Sequence, residues 1–179
     1  MEDFKRKIIL TKKVYLIAMS ESWPITEFGT LTIRQTAAVD FRTLHKALFN
    51  WAEENKYFYN EKTMQEKAKS HGKEIDIVWQ YERKITEFIK FKIEVAIWAR
   101  GMNPTKEGKL KGDIEVILDS EMEMDWQNRW QTSPFHKFLR SLYIYYLKKQ
   151  YFLNYAGKCW VDTYSMHAII KANLNQLTP

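Results

Sequence analysis

The sequence predicts an α+β fold, an antiparallel meander of three to four long strands preceded by one helix and backed by a long C-terminal helix. Three observations predict it. Between residues 74 and 126, apolar side chains alternate with charged ones through three successive runs, the period-two pattern of strands with one buried face. Residues 40–55 and 133–155 instead repeat apolar side chains every three or four positions behind good N-caps, as helices do. The chain's 179 residues, with only six Gly and four Pro, suit one domain able to bury a core without disulfides or metals.

The elements follow in order. Residues 4–19 are β-branched and aromatic enough to read as a strand, broken as an apolar run by Lys12 and Lys13. Residues 1–36 together form an N-terminal arm or added strands ahead of a single domain over 37–179. Two roles are open to that arm: packing on the domain, or docking its basic-apolar pattern on a partner or an anionic surface. Turn residues at Trp23-Pro24 and Gly29 precede a short alternating piece, Leu31-Thr32-Ile33-Arg34. Asp40 then caps a helix with the stripe Phe41, Leu44, Leu48 and Trp51, ending near Asn55.

Residues 57–69 divide between extended and helical composition, and read as a strand entering a turn at Ser70-His71-Gly72-Lys73. Ile75, Ile77, Trp79, Tyr81 and Ile85 then form one buried face, and Ile89, Phe91, Ile93, Val95, Ile97 and Ala99 the next. Leu110, Ile114, Val116, Leu118, Met122, Met124 and Trp126 form the third. Thr86-Glu87 makes a tight connection and residues 101–108 a longer loop. Ser133-Pro134 starts the last helix, an N-cap followed by proline at a position whose N–H is not needed. It runs at least to Tyr155, Gly157 ends or kinks it, and residues 161–177 continue through Val161, Tyr164, Ala168 and Leu174.

By helical angle, Phe135, Phe138, Leu139, Leu142, Tyr146 and Leu153 share the face expected to pack on the sheet. Lys137, Ile144, Lys148, Tyr151 and Tyr155 lie opposite, with Arg140 and Phe152 at the edges. That second face either packs on the 161–177 helix or meets a partner. On the outward sheet face, Asp113, Glu115, Asp119, Glu121, Glu123 and Asp125 stand two apart, about 7 Å, with parallel side chains that chelate metals poorly. Lys90, Lys92 and Arg100 on the neighbouring strand make cross-strand ion pairs the simpler reading. Trp98 shares that face with Val78, Phe88, Ala96 and Ile117. A register bringing Ala96 beside Val78 and Ile117 would make an apolar island needing cover from the arm or another chain.

No phosphate loop, nucleophile elbow or metal-ligand spacing occurs, and His45, His71, His136 and His167 fall in unrelated segments. The expectation is therefore no catalytic residue, no metal and no cofactor. A lone Cys159 reads as a small buried hydrophobe, and with no leader recognisable the expected compartment is the reducing cytoplasm. No run of about 18 apolar residues is present to span a membrane, though peripheral contact stays open. The net charge of +6 comes from 28 basic and 22 acidic residues, and permits an anionic partner without demanding one.

From Asp40 to Tyr155 the element order resembles the helix-grip arrangement of START-like domains. The resemblance is one of order alone, and it implies a long helix closing an apolar cavity over a curved sheet. Three functions follow. The first is a non-enzymatic subunit or adaptor, self-associating or binding a protein partner through Trp98, Ile144, Lys148, Tyr151 and Tyr155. The second is a carrier of a small apolar ligand lined by Trp79, Tyr81, Phe91, Ile93 and Val116. The third is a nucleic-acid-binding module using the basic arm with Lys137, Arg140, Lys148 and Tyr151.

Overall fold

The computed structural model describes residues 22–26, 31–70, 72–105, 108–130 and 133–174; the strand expected over residues 4–19 lies outside them. Strands β1 (Ser22–Pro24), β2 (Leu31–Val39), β3 (Phe58–Lys69), β4 (Gly72–Lys84), β5 (Ile89–Pro104) and β6 (Leu110–Met124) form one sheet. Helix α1 (Phe41–Glu54) follows β2, and α2 (Pro134–Leu142) and α3 (Lys149–Asn173) follow β6. Every neighbouring pair is antiparallel, in the order β1, β6, β5, β4, β3, with β2 on the same edge of β6 as β1. The fold is thus α+β in helix-grip order, one helix before the long strands and a long helix after them.

The alternation places the faces as expected. Ile75 to Tyr81, Ile89 to Ala99 and Ile114 to Met124 bury one parity, and Leu44, Leu48, Trp51, Ala52, Cys159, Met166 and Ile170 join them in one core. Asp40 caps α1, accepting from Arg42 N at 2.9 Å and Thr43 Oγ1 at 2.7 Å; these bonds hold its carboxyl below the usual carboxylate range. On the outer face Lys92 Nζ meets Glu121 at 2.6 Å and Lys90 meets Glu123 at 2.7 Å, cross-strand partners in register. Each exposed pair is worth under about 1 kcal/mol, so they fix register more than they add stability. β3, exposed along most of its length, ends the sheet as an edge guarded by lysines and by a bulge between Glu61 and Thr63.

Three expectations are corrected. The loop foreseen at 101–108 is mostly strand: β5 continues through a bulge between Arg100 and Asn103 and buries Met102. Gly101 takes φ 60° there, and a Cβ on Gly112 would sit 2.6 Å from Arg100 O, so only glycine lets the strands close. The helix break comes before Gly157. A π turn spans Tyr143–Leu147, Lys148 leaves helical geometry at φ −128°, and α3 runs unbroken through Gly157. One helical glycine costs only about 0.5–1 kcal/mol, less than the packing on either side of it supplies.

The third correction concerns faces. Phe135, Phe138, Leu142, Tyr146 and Leu153, expected against the sheet, are exposed, whereas Ile144 and Phe152 are buried. The π turn inserts a residue, and about 100° per residue then rephases everything after it. The buried stripe of α3 is Phe152, Cys159, Thr163, Met166 and Ile170, so Val161, Tyr164 and Ala168, expected as its apolar line, face outward. Because 149–173 is one helix, the second helix foreseen over 161–177 is not available to cover the first.

Candidate functional site

Along β4 the inward residues are Trp79, Tyr81, Arg83 and Ile85, and register sets Val95, Ile93 and Phe91 beside the first three. An arginine on the apolar parity is the anomaly in this row. α3 passes over it, and between them lies a cleft of about 410 Å³ lined by Arg83, Ile85, Phe91, Tyr155, Lys158 and Asp162, among others. Gly157 also borders it, and a Cβ there would meet nothing within 4 Å. The roof is therefore low and open at that point.

A polar knot ties one side of the cleft. Asp162 Oδ2 accepts a 2.8 Å hydrogen bond from Tyr57 Oη and lies 3.6 Å from Arg83 Nη1. The guanidinium carbon also stands 5.6 Å from the centre of the Tyr57 ring. Burial, then the neighbouring Cys159 and Asp162, push the Tyr57 hydroxyl well above its usual pKa, so it stays a donor. α3, β4 and the start of β3 are joined through these three side chains. Lys158 supplies a second cation, 5.0 Å over the Tyr155 ring.

Deeper along the row, the hydroxyl of Tyr81 and the indole N–H of Trp79 are buried with no hydrogen-bond partner. Their side chains are 0% and 3% exposed, and burial raises the Tyr81 pKa, keeping the hydroxyl protonated. Rings pack around them: Tyr59 5.5 Å from Tyr81, and His45 5.2 Å from Trp79. Successive inward residues are about 7 Å apart on a strand, so Tyr81 sits one step in from Arg83 at the cleft wall. The chemistry on offer is donation: O–H, N–H, guanidinium and ammonium, set in aromatic walls.

Nothing here resembles an activated nucleophile. Cys159 is 0% exposed, and burial pushes its thiol to about 12, so at neutral pH it carries negligible thiolate. Among the described residues no three His, Cys, Asp or Glu side chains are grouped to hold a metal ion, and no described helix is long and apolar enough to cross a membrane.

The residues singled out from sequence divide. Trp79, Tyr81, Phe91, Ile93 and Val116 are all buried on the inner face, and Phe91 reaches the cleft. Trp98 is half-buried outside, between Asp76 and Glu115 in register; Arg100 pairs with Asp76 and Arg34 with Glu115 around it. Ala96 does lie beside both Val78 and Ile117. Ile144 belongs to the core rather than to a surface, Tyr155 lines the cleft, and Lys148 and Tyr151 remain exposed. Arg83, Asp162, Tyr57 and Lys158 were missed. Arg83 carried a signal in its inward parity, and Asp162 in being the single acidic residue after Asp125.

No family model matches the chain, and no curated protein matches it. Among solved structures it is similar to the di-domain ARO/CYC StfQ from the steffimycin biosynthetic pathway, at 6% identity and a TM-score of 0.23, over 87% of this chain. The match spans about half of that protein's length, 51%. A likeness of this size leaves the reading of the site to its own residues.

Proposed function

We propose that the chain carries a small, largely apolar ligand bearing a hydrogen-bond acceptor, held between α3 and the sheet. The observation behind this reading is the pair of orphaned donors, Trp79 Nε1 and Tyr81 Oη, on an otherwise apolar inner face. A buried donor without a partner costs roughly 1–3 kcal/mol, and an acceptor on a ligand would remove that cost. Ile85, Phe91, Tyr155 and Val161 give the cleft apolar walls, Arg83 and Lys158 give it cations, and its volume is within the range of small-ligand sites.

The subunit or adaptor reading keeps fewer of its residues. With Ile144 in the core and Tyr155 at the cleft, what remains on that helix for a partner is Lys148 and Tyr151.

Native mass spectrometry of protein from its own source is expected to show a bound apolar species, removed by solvent extraction and diminished in Tyr81→Phe. In the extracted protein, Tyr81→Phe removes an unsatisfied hydroxyl and should stabilise by about 1 kcal/mol, raising Tm by about 2–4 °C for a chain of this size. Protein that arrives empty and binds no member of a fatty-acid and isoprenoid panel would sink the proposal. So would a Tyr81→Phe variant that is less stable than wild type, since its hydroxyl would then already have a partner.

A further inference from the structure

The chain's positive charge is not spread over its surface. Residues 126–161 contain Arg129, Lys137, Arg140, Lys148, Lys149 and Lys158 and no acidic residue; the remaining residues hold 22 basic and 22 acidic. The whole net charge of +6 therefore sits in this one segment, which includes α2, the π turn and the start of α3. A surface so charged attracts anions without a specific contact.

The same segment presents the apolar side chains that the fold leaves uncovered. Phe135, Phe138 and Leu142 stand three and four residues apart on α2 and are 66%, 62% and 38% exposed; Tyr146, in the π turn, is 72% exposed. Leaving three aromatic rings in water on one short ridge forfeits burial that large side chains normally find. Lys137, Lys148 and Lys149 are exposed along it, and their alkyl stems can lie on an apolar layer while the ammonium groups reach its polar border. The neighbouring Arg140 is buried and turned away from this surface.

We infer that α2 and the π turn form a peripheral docking ridge for an anionic phospholipid surface, inserting Phe135, Phe138, Leu142 and Tyr146 among the headgroups. A convex apolar ridge with basic flanks and no acidic residue matches an interface apolar below and negative above. An acidic protein groove would share the charge, but nothing on the ridge supplies the directional polar contacts that fix a protein partner. The inference does not rest on the ligand reading. The cleft lies between α3 and β4, and the ridge would bind whether or not the cleft is filled.

The test is co-sedimentation of the full chain with vesicles of phosphatidylcholine alone or with 30% phosphatidylserine. Binding is expected to the anionic vesicles only, falling as salt is raised to 0.5 M. Lys137→Gln and Lys148→Gln should each weaken it about five-fold, the weight of one lysine beside an anionic surface, and Phe135→Ser with Phe138→Ser by tenfold or more. These side chains are exposed, so an unchanged Tm accompanies the loss. Absent binding, equal binding to neutral vesicles, or binding untouched by the phenylalanine changes would overturn the inference. So would light scattering that shows a dimer dissociated by Phe138→Ser, because a second copy would then be the ridge's occupant.

Discussion

Replacing Asp125 with Asn is expected to lower stability by about 3–5 kcal/mol, the cost of leaving a buried charge without its partner, read by urea unfolding. Asp125 and Arg140 are 2% and 4% exposed, and their charged groups stand 3.9 Å apart, with Arg140 Nε and Nη1 making no hydrogen bond. The carboxylate is already committed to the turn, accepting from Arg129 N at 2.9 Å and Trp130 N at 3.0 Å. It serves Arg140 by field more than by contact. Asparagine keeps an acceptor for the turn and tolerates the φ of 58° at this position, so the substitution isolates the charge. Arg140→Met in the Asp125→Asn background should then recover at least half of the loss. Equal costs for Arg140→Met in both backgrounds would show the two groups uncoupled and refute this account.

Phe152→Ala is expected to cost about 3–5 kcal/mol, the range for emptying a packed aromatic site, while Phe138→Ala stays within about 0.5 kcal/mol of wild type. Phe152 is 1% exposed. Its ring lies 5.8 Å from Phe88, 6.3 Å from Tyr143 and 5.5 Å from Tyr151, so it joins the start of α3 to the π turn and to the β4–β5 connection. Thermal unfolding of the two variants side by side decides between the observed helix phase and the one that sequence spacing implies. A larger loss for Phe138→Ala would restore the spacing-based phase and remove the exposed ridge with it.

The contrast between those two phenylalanines marks where local reasoning stopped. Both lie in strongly apolar helical sequence, and a uniform rotation of about 100° per residue puts Phe138 inward and Phe152 at the margin. The observed phase depends on one inserted residue in the π turn, which Ile144 and Phe152 stabilise by reaching the core together. Neither residue's own neighbours in sequence announce that choice. The site shows the same division. Arg83 on an apolar parity could be read directly, but its meeting with Asp162 and Tyr57 joins residues 105 apart, Tyr57 and Asp162, and depends on where α3 crosses the sheet.

By itself the sequence determined the strands, their buried faces, the capped starts of α1 and α2, and the lysine–carboxylate register across β5 and β6. These follow from short-range geometry: a strand's side chains alternate whatever lies above it, and an N-cap acts within one turn. The tertiary structure alone decided the helix phase, the bulge that carries β5 past Gly101, and the crevice with its orphaned donors. Each of those balances local cost against contacts made far along the chain, and a two-faced apolar helix has no local preference strong enough to choose between its faces.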